Sequence, residues 1–379
     1  MFHKVHLVHG LVLFVVVFVT GQAAAGSSVT FKSEKETFKL ELLVDGLDHP
    51  WGMVFLPDDS LLITEREKGL KLYRDKNLHD ISLDNFPKVR TRGQGGLLDI
   101  TIHPAFKQTR LVYFTYSHPL KKGSTTALAQ ARLVDQKLLD PQTIFIAETG
   151  SATSRHYGSR IRFDPDGHLF MTIGDRGNRH NAQKLNSHAG KVLRLNDQGQ
   201  SAADNPFAQT GKALPEIYSY GHRNPQGLTQ HPLTGEMWVS EHGPRGGDEI
   251  NQIQAGANYG WPVITYGKEY IGGTIGEGTH HPEMQQPIHQ WTPSIAPAGI
   301  TFYSGVAFPN WQGNLFTTAL KFKLLVRQEL QDGKIVHEER LLEEEVGRIR
   351  AIEQGPDDFL YILTDTNNGA LYRLRPPNL

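Results

Sequence analysis

The sequence predicts an all-β protein, a six-bladed β-propeller built from four-stranded antiparallel blades. Three observations predict it: one strand–turn–strand pattern returns six times, its copies are spaced as blades are, and helical periodicity is nearly absent.

The pattern is an alternating apolar strand, a turn centred on proline with Asp, Gly or Asn nearby, and a second apolar strand. It reads GMVFLPDDSLLITER from Gly52, LLDITIHPAFKQTRLVYFTYS from Leu97 and SRIRFDPDGHLFMTIGD from Ser159. It returns as PQGLTQHPLTGEMWVSEH from Pro225, AGITFYSGVAFPNWQGNLFTTAL from Ala298 and RIRAIEQGPDDFLYILTD from Arg348. The turn prolines, Pro57, Pro104, Pro165, Pro232, Pro309 and Pro356, lie about 45 to 80 residues apart, the range of blades with variable insertions. Intervening segments supply further strands, such as KGLKLYRD from Lys68, AGKVLRLN from Ala189 and GALYRLRP from Gly369. A four-stranded blade cannot bury both faces alone, so six must stack in a ring. Closure is expected between the early strand Phe38 to Val44 and the last blade near Ala370 to Leu374, which removes two exposed edges. A pair of β-sandwiches is the competing architecture, but a sandwich has no reason to repeat one turn six times.

Lys4 and its flanking histidines precede the apolar run Leu11 to Val19 and the small residues Ala23, Ala24 and Ala25, the pattern of a secretory signal cleaved near Ala25. Residues 1–25 are therefore expected to be a signal peptide and 26–379 a single propeller domain, periplasmic or secreted. The apolar run is shorter than the roughly 20 residues that span a bilayer, so no stable membrane span is expected after cleavage. The chain has no cysteine, which excludes disulfides, thiolate metal sites and cysteine nucleophiles. With 39 basic and 40 acidic side chains it has no broad field to attract nucleic acid, and nothing in it sets an oligomeric state.

Polar side chains concentrate between Gly221 and Trp261. Gly, Pro and Asn build ordinary turns, but Arg223, Asn224, Glu241, His242, Asp248 and Glu249 cluster here as loops do when they present side chains to a ligand. A propeller gathers its loops at one end of a central channel, so polar residues at equivalent points of successive copies converge. Gln94, His156, Arg223 with Asn224, and the run Trp291 to Ala296 each stand just before a copy's first strand, and Arg348 and Arg350 occupy the equivalent run of the sixth. Arg223, Lys321, Arg348 and Arg350 form a cationic set suited to a small polyanion. Arg348 and Arg350 are two apart in a strand and face one side. His156 is the candidate base whose ordinary pKa lies near neutrality.

From about Trp51 to the C-terminus the chain resembles the soluble quinoprotein glucose and aldose sugar dehydrogenases, closest to the bacterial aldose branch. The resemblance rests on GQGGLLDITIHPAF, HYGSRIRFDPDGHLFMTIGDRG, YGHRNPQGL, SEHGPRGGDEINQIQAGANYGWP, the APAG run from Ala296, the lysine of TTALK, and RIRAIEQGPDDFLYILTDT. It implies a six-bladed propeller that uses pyrroloquinoline quinone (PQQ) and Ca²⁺ to oxidise the anomeric carbon of an aldose sugar to a lactone, with electrons leaving to an external acceptor. It casts His156 as the general base and Arg223 as the stabiliser of charge on the reacting carbonyl oxygen, a role that favours the transition state over the ground state. Asn224, Lys321, Arg348 and Arg350 become cofactor contacts, and Gln94 and Trp291 substrate-side residues. Backbone carbonyls of Gly243 and Pro244 are implied for the calcium beside the cofactor, and Glu249 and Tyr259 for a second, structural calcium; oxygen donors suit this hard cation.

One departure concerns substrate. Where the glucose branch has an aspartate before the catalytic histidine, this chain has Arg155, which can only donate hydrogen bonds and lowers the basicity of a nearby imidazole. Glucose preference therefore does not carry over. Lys268 to Gln290 has no strand pattern and is expected to form a rim loop, with His280 and His281 at its surface. Two other functions stay open: a calcium-dependent lactonase or esterase propeller, and a carbohydrate-binding propeller without catalysis.

Overall fold

The computed structural model describes residues 28–149 and 152–379. The signal peptide expected over 1–25 lies outside the described residues.

Six antiparallel sheets stand around a channel, and each repeated copy opens one of them. Their innermost strands are Pro50–Phe55, Leu97–Ile102, Ile161–Phe163, Pro225–Gln230, Pro297–Phe302 and Ile349–Gln354, in blades 1 to 6. Each packs against the inner strand of the next blade, and that of blade 6 packs against that of blade 1. The segments expected as extra strands form third strands: Gly69–Arg74 in blade 1, Lys191–Leu195 in blade 3 and Gly369–Arg375 in blade 6. In five blades every residue of the second strand is buried, as in Leu61–Glu65, Leu169–Ile173 and Met237–Glu241. A strand covered by neighbouring blades on both faces loses strict polar alternation, which explains its near-continuous apolar run.

The ring closes as the sequence predicts. Thr37–Leu47 pairs antiparallel with Gly369–Arg375, in the register Leu40 to Leu374 and Leu42 to Tyr372. One detail differs from four strands per blade: Ser28–Lys32 adds a fifth, outermost strand to blade 6. Met53, Ile63, Ala351, Leu363 and Leu371 form the apolar seam between the last blade and the first.

Arg160 plugs the channel. Its guanidinium donates to Gln226 O at 2.7 Å, Asp99 Oδ1 at 3.0 Å, Arg350 O at 2.8 Å and Trp51 O at 3.5 Å, and stacks on the Trp51 ring at 4.2 Å. One side chain from blade 3 thus ties blades 1, 2, 4 and 6. This cross-tie separates a cavity of about 370 Å³ on one side, with Asp99, Arg162 and Glu353 in its wall, from the loop-bearing mouth on the other.

Candidate active site

In an antiparallel hairpin the start of the first strand and the end of the second lie at the same end. The mouth therefore collects two residue sets from the six blades. Gln94, His156, Arg223, Asn224, Ala296 and Arg348 precede or begin first strands, whereas Arg66, Asp175, His242, Leu320 and Asp365 follow second strands. Between them lies a cavity of about 180 Å³ walled by Trp51, Arg66, Gln94, Asn224, His242, Arg348 and Arg350 among others.

His156 is outside the wall itself but bonded to Gln94 and followed by Tyr157, which both line it, and it lies in the left-handed region, φ 55°, rare for a residue with a Cβ. Two contacts hold it there: its N–H donates to Gln94 Oε1 at 2.7 Å, and its Nδ1 lies 2.6 Å from Asp175 Oδ1. Gly174 underlies it so closely that a Cβ would fall 2.4 Å from His156 O. Asp175 is itself fixed by Trp261 Nε1–H at 2.9 Å and Gly177 N–H at 2.7 Å. Burial pushes the His156 pKa below the ordinary value, Asp175 pulls it back, and Arg223 pushes it down again. Burial would raise Asp175, but its bond to His156 keeps it below the usual carboxylate range. A carboxylate on Nδ1 fixes the proton there and turns the Nε2 lone pair outward as acceptor.

The cations converge in part. Arg350 is buried, donating to Gln226 Oε1 at 2.9 Å and Asp365 Oδ2 at 2.7 Å; Arg348 reaches the same Asp365 oxygen at 3.3 Å. Burial alone would raise Asp365, yet Arg350 and Arg348 hold it down at about 2. Arg223 donates to His242 O at 3.0 Å and Tyr270 OH at 3.3 Å, and lies 5.4 Å from the centroid of the Trp261 ring. Asn224 Oδ1 accepts from Gly158 N–H at 3.3 Å and Gln226 Nε2 at 3.4 Å. Lys321 follows Leu320 but is exposed, its Nζ over Phe322 and outside the cavity wall. Two buried guanidinium nitrogens of the wall, Arg66 Nε and Arg350 Nε, have no hydrogen-bond partner among the described residues. A small acidic cofactor fits such a donor-rich wall.

The four residues implied for calcium separate. Gly243, Glu249 and Tyr259 wall a cavity of about 10 Å³ together with Glu241. Pro244 lies outside it, packed on Gly267. Burial, then neighbouring Glu241, push the Glu249 pKa well above the usual carboxylate range, so a bound cation would offset the cost of ionising it there. No cluster of three His, Asp or Glu side chains poised for a metal occurs among the described residues, so a cation here would need backbone carbonyls as well. Trp291 ends the outer strand of blade 4 and turns away from both cavities, buried, with Nε1 on Glu338 Oε2 of blade 5 at 2.7 Å.

The pattern of the family Glucose / Sorbosone dehydrogenase matches residues 47–373. The chain belongs to this family. Within it, this dehydrogenase chain is 41% identical to the aldose sugar dehydrogenase YliI of Escherichia coli over 348 residues, covering 90% of this chain and 94% of that one. It is 28% identical to quinoprotein glucose dehydrogenase B of Acinetobacter calcoaceticus, over 76% of this chain and 65% of that one. It superposes on the apo form of the soluble Escherichia coli aldose sugar dehydrogenase with a TM-score of 0.87, covering 89% of this chain and 99% of that one. The PQQ-bound form of aldose sugar dehydrogenase from Streptomyces coelicolor superposes with a TM-score of 0.75 at 26% identity, covering 93% and 99%.

Sequence reasoning placed His242 in the polar cluster without a role and missed Asp175, Trp261, Arg66 and Asp365. The signal for most of them was present: each except Trp261 lies within two residues of the end of a copy's second strand, the other half of the same mouth.

Proposed function

We propose that this protein is a PQQ- and calcium-dependent aldose dehydrogenase that oxidises the anomeric carbon to a lactone and passes electrons to an external acceptor, working in the periplasm or outside the cell. The observation that carries the reading is the Asp175–His156 pair, its Nε2 free, beside a cavity faced by Arg66, Arg348 and Arg350. A bound PQQ would supply the hydride acceptor and calcium a Lewis acid that polarises it.

The chain supplies the rest. His156 Nε2 takes the proton of the anomeric hydroxyl, and Asp175 stabilises the resulting imidazolium through Nδ1–H. The Arg223 guanidinium, already held by His242 O and Tyr270 OH, is a preorganised donor for negative charge that grows during reaction. Asn224, Arg348 and Arg350 hold the cofactor's polar edge, and Gln94 both lines the cavity and fixes the base. Lys321 completes the cofactor contacts from its exposed position at the mouth. Backbone carbonyls of Gly243 and Pro244 would hold the calcium beside the cofactor, Glu249 and Tyr259 would hold a second, structural calcium, and Trp291 would stand on the substrate side.

Dye-linked oxidation of aldoses by the purified protein tests this. Turnover is expected only when PQQ and Ca²⁺ are both added, and His156→Ala should keep PQQ binding while losing turnover. Oxidation that needs no PQQ, or none with both present, excludes the assignment.

A further inference from the structure

A second concave surface has in its wall Arg155, the residue before His156. This groove of about 370 Å³ is lined by Arg90, Arg92, Ser124, Thr153, Ser154 and Arg155, with no carboxylate in the lining. Among the described residues no acidic side chain pairs with Arg90, Arg92 or Arg155. Beneath the floor lies a fourth guanidinium. Arg176 is fully buried, donating to Thr153 O at 2.8 Å, Ser124 O at 3.1 Å and Arg155 O, and stacked on the Tyr157 ring at 3.5 Å.

The groove is joined to the base by short links. Gln94 N–H donates to Ser154 O at 2.9 Å while Gln94 Oε1 accepts from His156 N–H at 2.7 Å, so the loop carrying Arg90 and Arg92 is stitched to the segment carrying Arg155 and His156. The stitch demands glycine at 93: φ is 64° and a Cβ would fall 2.6 Å from Ser154 O. Exposed arginines on a convex face are ordinary solvated surface. Here they are concave, next to the reacting position, and drawn from a chain whose charges nearly balance, 39 basic against 40 acidic.

We propose that this groove receives an anionic group on the sugar, so that the preferred substrates are aldoses bearing a carboxylate or a phosphate ester. The inference rests on reading His156 as the base of an aldose dehydrogenase. A neutral sugar presents nothing that repays desolvating several guanidiniums, whereas a carboxylate or phosphate accepts paired N–H donors from them. Arg155, where the glucose branch has an acid, is then the residue that selects charge.

The test compares D-glucuronate, D-glucose 6-phosphate and D-glucose. Initial rates are measured with protein loaded with PQQ and Ca²⁺ at low and high ionic strength, and the cofactor-free protein is titrated calorimetrically with the same compounds. At least one anionic sugar should exceed glucose in kcat/KM by about tenfold at low salt, with the excess collapsing near about 0.5 M salt. Arg92→Glu and Arg155→Glu should each reduce that excess, and the calorimetric affinities should follow the same order; which anion leads separates carboxylate from phosphate. Equal constants for charged and neutral sugars, or a preference that survives both charge reversals, overturns the inference. Oxidation of no aldose at all defeats the functional reading instead. In that case calorimetry still decides the groove: anionic sugars that bind the native protein and not the charge-reversed variants uphold it, and no binding overturns it.

Discussion

His156 is constrained from both sides of its ring and backbone, and the constraint sets its chemistry. Asp175→Asn removes the negative charge and allows an amide N–H to face Nδ1, moving the ring proton to Nε2, where a base must be empty. Turnover should fall on the order of 10²- to 10⁴-fold with PQQ binding nearly unchanged, measured by spectral titration beside the rate. Loss of both together would mark Asp175 as structural. The pKa direction adds a pH expectation. Because burial lowers His156 below 6.5, the imidazole stays unprotonated into mild acid, and the acid limb of kcat/KM should lie below 6.5. The same shift links to stability: below 6.5 the unfolded chain binds the proton that the folded one refuses, so this residue's contribution is lost as pH falls through that window.

At the level of the element, the hairpin is the unit that makes the site, and it explains what the sequence disclosed and what it hid. The repeated turn identifies six hairpins, and their shared offset brings Gln94, His156, Asn224 and Arg348 to one mouth. The same geometry places Arg66, Asp175, His242 and Asp365 there from the second strands, a relation visible only when both ends of each hairpin are read. Trp261 lies in a long excursion of blade 4 with no strand pattern to position it, so its bond to Asp175 has no trace in spacing. Trp291 shows the converse: nearness in sequence to the next inner strand brings it toward the mouth, while its side chain packs between blades 4 and 5. Where blade 4's second strand ends and its third begins lies the acidic pocket of Glu241 and Glu249, paired across the two strands. Ca²⁺ in excess should raise the melting temperature of the cofactor-free protein on the order of 5 °C. Glu249→Gln should abolish that rise; a rise retained in the variant would move the ion elsewhere.

The whole molecule is a ring, and a ring is held by its cross-ties and its closure. Arg160 gave no sign of its role in sequence because it stands in a strand-like run with Arg162, where either arginine reads as a solvated face. Its four acceptors come from four other blades, and burial already raises its partner Asp99 above the usual carboxylate range. Arg160→Met leaves that carboxyl and three carbonyls without their donor, which should cost about 3–5 kcal/mol in denaturant unfolding. Closure was legible because it needs only an apolar strand at each end of the chain, and Phe38, Leu40, Leu42 and Leu47 are buried as that demands. The ends are also clasped electrostatically: Glu41 Oε2 accepts from Arg373 Nη2 at 2.8 Å and Arg375 Nε at 3.0 Å. Deleting residues 28–47 uncovers the full edge of Gly369–Arg375 and the apolar face that Thr37–Leu47 covers. An unpaired edge of that length pairs with other chains, so the deletion should elute as large aggregates where the intact propeller elutes as a discrete species. Supplying the 28–47 segment in trans should restore part of the discrete fraction by refilling the edge. A deletion that keeps the intact protein's size and melting temperature would show that three strands suffice to close blade 6.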